Sequence, residues 1–381
     1  MDNLTHSLVG LSLSKAGLER VSPYATTVCL LSANAADADF VALFFGDRWT
    51  LLHHHRGITH SIVGTVAIGL LVPLIVAGVA RIVARMRKRS EKIRLGGLMI
   101  ASFIAAVTHP IMDWMNNYGV RPLLPWSNKW FYADLVYIVD PYIWLMLGGA
   151  MFLLTSKGRL RMGAWVILGV IVTAIIFLVS LRGGSDASAV QAAGAIWIAG
   201  LIVIVSVRVT RFHQRLNRRT ALAALALVVL YGGGLAIAHR VAYAAALAEA
   251  SRLASSRAEI LVKIASMPSP ASPFSWQSVA ETDRAVYRYP TLISGSEPVV
   301  VAGRVHRFEK ASGSAAELVT VAERDRRARE FLLFARFPIA EPVTSDCVGQ
   351  VLVQFADLRY TEPGATRGTF SVNIPVDCPA R

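Results

Sequence analysis

Within the first 113 residues stands a run of nine His and Asp side chains that together could ligate a metal: His6, Asp37, Asp39, His53, His54, His55, His60, His109 and Asp113. Imidazole and carboxylate donors together suit a hard or borderline divalent cation, zinc first and manganese next. Two blocks concentrate them. His55-Arg56-Gly57-Ile58-Thr59-His60-Ser61 packs two imidazoles, a guanidinium and two hydroxyls into one short stretch, and Thr108-His109-Pro110-Ile111-Met112-Asp113 repeats the Thr-His pair and adds a carboxylate. Taken singly, each piece has a plainer role: Asp37-Ala38-Asp39 could cap a helix, and His53-His54-His55 could be a solvated loop. Taken together they read as a metal site, because the chain around them is apolar and ionisable groups in or beside hydrocarbon are costly unless they do something.

The elements that must position these residues are membrane spans. The chain has 381 residues, 54% of them hydrophobic and only 17% charged, and about 20 apolar residues suffice to cross a bilayer. Six stretches qualify clearly: Ser61 to Ala80, Leu95 to Val107, Leu135 to Leu154, Gly163 to Leu181, Ala189 to Val207 and Thr220 to Leu247. Pro110 removes a backbone donor and biases His109 away from helical dihedrals, so a break or kink is expected there. If the helix instead continues, His109 and Asp113 share one face.

A formal charge of +14 raises the question of nucleic acid, and its distribution answers it. Arg81 to Arg94 holds seven Lys or Arg, Lys157 to Arg161 three and Arg208 to Arg219 five, with Glu91 the one acid among them. The intervening loops are poor in basic residues. This is the positive-inside pattern, which places the basic loops in the cytoplasm and excludes a polynucleotide partner as their explanation. His53 to His60, His109, Asp113 and the tail then lie on the outer side. At the N-terminus, Leu4 to Leu18 and Tyr24 to Ala36 are each short for a span. A helical hairpin turning at Lys15, Glu19 and Arg20 brings His6 and both Asp residues to the outer face. One conventional span over 22–45 would bury two unpartnered carboxylates, so the hairpin is preferred. Met1-Asp2-Asn3 is not the basic opening of a cleavable signal peptide.

The opening Met1-Asp2-Asn3-Leu4-Thr5-His6-Ser7, the Asp37-Ala38-Asp39 pair, the His55–Ser61 block, His109-Pro110-Ile111-Met112-Asp113 and Asp134 to Pro141 resemble the YdjM-type family of bacterial membrane-bound metal-dependent hydrolases. Pro268 to Trp276 with Glu281-Thr282-Asp283 resembles the extramembrane tail of its longer members. That family is in turn similar to the zinc-dependent phospholipase C and single-strand nuclease superfamily. The resemblance implies His6, Asp37 or Asp39, His60, His109 and Asp113 as ligands in an inner-membrane enzyme. The superfamily's further His-x-x-x-Glu has no counterpart here, because His213, His239 and His306 lack that neighbour.

On this reading the metal activates water and polarises a substrate oxygen. His55 joins the ligand candidates, and Asp39 or Asp37, whichever is not a ligand, serves as general base. Arg56 binds an anionic phosphate. Asp140 either orients a ligand histidine or starts a helix beside Pro141. An aromatic belt including Trp49, Trp114, Trp126, Trp130 and Tyr142 on the outer side puts the site at headgroup depth, where a phospholipid or lipid-linked phosphoester is the nearest substrate. The competing class is a cation or proton transporter, against which stands the crowding of polar residues at one membrane face. A third is a noncatalytic metal-stabilised scaffold.

The expected organisation is thus a polytopic α-helical membrane domain over 1–248, a helix and Pro/Ser linker over 249–273, and a small α+β or mostly β extracytoplasmic domain over 274–381 that could meet a periplasmic partner. Residues 250–381 hold 16 basic and 14 acidic side chains. Val299 to Val305 and Gln350 to Tyr360 alternate as strands do. Ser314-Ala315-Ala316-Glu317 reads as a capping box opening a helix toward Arg329, and Met267 to Pro273 as a stiff linker. Cys347 and Cys378 could pair in an oxidising compartment, while Cys29 sits in apolar surroundings and is inert. No internal repeat is evident.

Overall fold

The computed structural model describes residues 1–182, 187–270, 272–294, 297–343, 349–364 and 370–378. Helix α1 (Asn3–Lys15) is opened by Asp2, whose carboxylate accepts from the Thr5 amide. The chain reverses at Gly17, which at φ 144° needs a residue without Cβ, and returns as α2 (Ala25–Asn34). The expected hairpin turn therefore forms, and Ala25–Phe44 is at the same time long and apolar enough for the single span set against it. Its helices touch closely: a Cβ on Gly10 would lie 2.7 Å from the Cys29 carbonyl oxygen. Beyond α2 the chain tightens into a 3-10 segment, Ala35–Phe44.

Helices α3 (Arg48–His54), α4 (Ile62–Met86) and α5 (Leu95–Trp114) follow. Next come α6 (Pro141–Ile143), a π-helical turn (Trp144–Gly148) and α7 (Gly149–Thr155), and then α8 (Arg159–Arg182), α9 (Ala187–Val209) and α10 (Arg218–Ser256). Among the described residues six helices are long and apolar enough to cross a membrane, Ala25–Phe44 being one of them. This is a multi-pass membrane protein. Alanines 25, 33, 77, 101 and 105 are buried together where α2, α4 and α5 meet. Such small residues let backbones approach in the absence of a hydrophobic drive between helices.

Two expectations need correction here. Pro110 does not break α5, which runs through it, because one missing hydrogen bond is offset by the packing of that helix. The span expected over Leu135 to Leu154 is a shorter helix, Pro141–Thr155. The residues before it are irregular, tied by the bridges Asn116 to Val136 and Val120 to Phe131.

The chain divides into two compact units. One comprises 1–38, 56–236 and 269–273, the other 39–55, 237–268 and 274–381. The second unit is α+β. Strands β1 (Leu261–Ser269), β2 (Ser272–Thr282), β3 (Ala285–Ser294), β4 (Glu297–Val300) and β5 (His306–Glu309) form one sheet in the order β1-β2-β3-β4, with β5 also paired to β3. Helices α11 (Ser314–Ala322) and α12 (Arg326–Phe334) precede an antiparallel sheet of β6 (Pro338–Pro342), β7 (Gln350–Asp357) and β8 (Ser371–Asp377). Met267, Val279 and Val286 of the first sheet share a core with Ile339 and Ala356 of the second.

The linker read from Met267 to Pro273 is instead the end of β1 and the start of β2, so the sheet begins at Leu261 and not after residue 273. Strand pairing has overridden the stiffness of the prolines. Val299 to Val305 is not one strand: β4 ends at Val300 and a 3-10 turn, Ala302–Arg304, intervenes. Ser314 is the first residue of α11 and not its cap, and the helix toward Arg329 is interrupted after Ala322, with Asp325 capping α12. Cys378 is disulfide-bonded, and Cys347 lies outside the described residues. Cys29 is free and buried.

The membrane-side segment 39–55 is built into this second unit. Trp49 packs with Phe331, Val353 and Phe355. Asp47 caps α3 and pairs with Arg326 at 2.6 Å, and His53 bonds Glu330 at 2.7 Å.

Candidate metal centre

Three separate elements deliver the four donors. Asp37 lies in the first turn of the 3-10 segment after α2, His60 ends a 3-10 turn (Ile58–His60), and His109 and Asp113 stand one turn apart on α5. All four are buried, and their ligand atoms lie within 4.8 Å of one another. The His60 and His109 Nε2 atoms are 3.1 Å apart. His60 Nε2 is 3.2 Å from Asp113 Oδ2 and 3.5 Å from Asp37 Oδ1, and His109 Nε2 is 3.5 and 3.6 Å from the same two atoms.

These spacings carry the fit. Four donors placed tetrahedrally about 2.0–2.2 Å from a cation stand roughly 3.3–3.6 Å from one another. The tautomer agrees. His109 Nδ1 donates to the Ala33 carbonyl oxygen at 2.7 Å, which leaves its Nε2 lone pair pointing into the cluster. Asp113 Oδ2 and Asp37 Oδ2 are buried and have no hydrogen-bond partner. Unpaired carboxylate oxygens and facing lone pairs in a buried space call for a cation. The residues present therefore suit a divalent metal ion.

The surrounding shell fixes Asp113. Arg56 approaches its Oδ1 at 3.2 Å and donates to the Asn116 side-chain oxygen at 2.9 Å and the Gly119 carbonyl at 3.2 Å. Its guanidinium lies over the Tyr118 ring, 4.5 Å from the centroid. Arg56 itself adopts φ 52°, a left-handed conformation that costs a non-glycine residue about 1–3 kcal/mol. The Met1 amino group also bonds Asp113 Oδ1. On α1, His6 stacks on the His109 ring with centroids 3.7 Å apart and brings its Nε2 to 3.4 Å from Asp113 Oδ1.

Of the residues expected at the site, Asp37, His60, His109 and Asp113 thus form one donor set, with His6 and Arg56 packed around it. Arg56 is buried against a carboxylate, which makes it a positioning group for Asp113. Asp39 and His55 fall in the other unit and bond each other at 3.0 Å. Asp140 caps α6, accepting from the Tyr142 and Ile143 amides, and accepts from the Tyr231 hydroxyl at 2.9 Å; the helix-starting role is the one it fills. His213 sits beside Arg208, His239 against Trp276 and His306 near Glu362. The sequence reading missed Asn116, whose buried amide holds Arg56. The signal was present as a buried polar pair, Asn116-Asn117, directly after the His-x-x-x-Asp motif.

A multi-pass membrane domain enclosing a buried Asp/His donor set defines the class of protein. Residues 1–184 match the model of a family described as YdjM inner membrane protein, so the likeness to YdjM-type proteins read from the motifs is found over those residues. The uncharacterized protein YfhP of Bacillus subtilis (strain 168) is 24% identical over 152 residues, covering 38% of this chain and 43% of the relative. The match thus spans less than half the length of that curated relative. No solved structure matches the chain.

Proposed function

We propose that this chain is a membrane-bound metal-dependent hydrolase acting on a phosphoester of a membrane lipid or lipid-linked molecule. The observation that carries the reading is the spacing of Asp37, His60, His109 and Asp113. A zinc ion, or manganese in its place, would supply Lewis acidity toward a substrate oxygen. His109 is held in the required tautomer by the Ala33 carbonyl, and Arg56 keeps Asp113 aimed at the centre. Asp37 reaches the cluster through Oδ1, and its Oδ2 is buried with no hydrogen-bond partner. The resemblance to phospholipase C-type zinc enzymes supports the phosphoester; the missing His-x-x-x-Glu argues for a smaller metal complement.

The basic loops support an outward-facing site and a periplasmic C-terminal domain, as does the disulfide at Cys378, since such bonds persist in oxidising compartments. The test uses the full chain purified in detergent. Wild type is expected to carry about one or more equivalents of zinc or manganese and to cleave bis(p-nitrophenyl) phosphate or a phospholipid. His60→Ala should lose both. Bound metal without hydrolysis of any phosphoester would point to a scaffold, and metal flux in proteoliposomes to transport.

A further inference from the structure

At the end of the membrane unit that carries the basic loops, three segments distant in sequence converge on one cavity of about 550 Å³. Lys15 and Arg20 come from the α1 hairpin turn, Lys157 from the α7–α8 loop, and Arg208 and Arg218 from the ends of α9 and α10; Glu19 is the one acid lining it. Glu19 is already paired with Lys15. Arg208 is oriented by the Ser156 carbonyl at 3.3 Å and keeps a buried Nε with no hydrogen-bond partner. The positive-inside rule requires only that loops be basic. It does not require that basic residues from three loops line one cavity.

A second cavity, about 620 Å³ and almost wholly apolar, is lined by neighbouring stretches of α1, α7 and α9 and by α8, with Leu8, Phe152, Trp165, Leu201 and Val205 among its walls. Along α1 the apolar cavity takes Leu4 and Leu8 and the basic one Lys15; along α9 they take Val205 and Arg208. One turn of helix, about 5 Å, separates the two linings on α9. Two indole N–H groups near the groove are satisfied internally, Trp165 by Thr155 and Trp197 by Thr173, which leaves its wall apolar.

We propose that these two cavities form one binding site for an anionic phospholipid, with an acyl chain in the apolar groove and the phosphate headgroup among Arg208, Lys157 and Arg20. The lipid comes from the leaflet on the side of the basic loops. Lys15 lies nine residues, roughly 14 Å of helix, from His6, so the headgroup pocket uses none of the metal donors and the proposal stands whether or not the chain is a hydrolase. Basic pockets between spans recognise anionic headgroups in this way.

Native mass spectrometry of the full chain released from detergent tests it. With phosphatidylglycerol and phosphatidylcholine supplied at equal concentration, wild type should retain one phosphatidylglycerol at least tenfold more than phosphatidylcholine. An Arg208→Gln, Lys157→Gln double variant should lose that preference. Gly169→Phe is the independent check: Gly169 lines the groove, and a Cβ there meets nothing within 4 Å, so a bulky side chain at this position starts in open space at the groove wall. This variant should lose retained lipid with every headgroup residue intact. Equal retention of the two lipids by wild type, an unchanged preference in both variants, or displacement of phosphatidylglycerol by millimolar inorganic phosphate would overturn the proposal.

Discussion

His60 and His109 meet through Nε2 atoms 3.1 Å apart, a separation at which two neutral imidazoles need a proton or a metal ion between them. The His109 proton is committed to the Ala33 carbonyl on the other side of the ring. Metal binding should therefore stabilise the folded chain, by about 2.7 kcal/mol at a free concentration one hundred times Kd. Thermal unfolding in detergent, with chelator and then with added zinc or manganese, measures this. The shift should be present in wild type and absent in a His60→Ala, His109→Ala variant. A chelator-insensitive wild type would remove the metal from the account.

Arg56 faces the same carboxylate, Asp113, that a bound metal ion would face. Removing the guanidinium by Arg56→Ala leaves the buried carboxylate with the Met1 amino group as its remaining cationic partner, and the loss of one partner of a buried pair costs up to about 3–5 kcal/mol. The loss should be largest in metal-free protein and smaller once metal is bound, because a divalent cation offsets the same charge. Equal destabilisation with and without metal would mean that Arg56 acts only in the fold.

Gly10 sets how near α1 comes to α2. A Cβ there would lie 2.7 Å from the Cys29 carbonyl oxygen and 2.9 Å from the Ala33 Cβ, and backbone cannot yield as a side chain can. Gly10→Val should cost about 1–3 kcal/mol. It should also weaken metal binding, since Ala33 holds His109 and α1 carries His6. Metal titration of the folded variant separates the two effects.

The donor types and their order were legible because Asp, His and the His-x-x-x-Asp pair stand out against an apolar background. The hairpin was legible from the shortness of two apolar runs. What escaped the sequence depends on pairing over long separations. Asp39 looks equivalent to Asp37 two residues away, yet the chain passes into the other unit between them and Asp39 bonds His55. Met267 to Pro273 has linker composition, and only its partners across the sheet make it strand. Trp49 reads as an interfacial aromatic, but its neighbours are Phe331 and Phe355, nearly three hundred residues on.

That Trp49 contact anchors segment 39–55 to the β-rich unit. Trp49→Ala should remove about 3–5 kcal/mol of packing, whereas His53→Ala, at a half-exposed pair with Glu330, should cost no more than about 1 kcal/mol. Hydrogen exchange of α3 and α12 in the full chain is the suitable readout, because a protein of two units does not unfold in one step. Faster exchange at both helices in the Trp49 variant alone is expected; unchanged protection would show that the segment is held by other contacts.

Acid should loosen the same unit through Glu259. Burial pushes this carboxyl up, but the Arg307 guanidinium at 2.7 Å and hydroxyls from Thr282 and Tyr287 outweigh it, holding the group below its ordinary value of 4.5. The folded state then binds the proton less readily than the unfolded one. The stabilisation is fully present above the ordinary carboxylate range and is lost as pH falls through it toward the lowered folded value. Exchange protection of β1 to β3 should therefore drop between about pH 5 and pH 3 in wild type. Glu259→Gln should be less protected at neutral pH and flatter across that interval. A wild-type profile that matches the variant's at every pH would dismiss the ion pair as a source of stability.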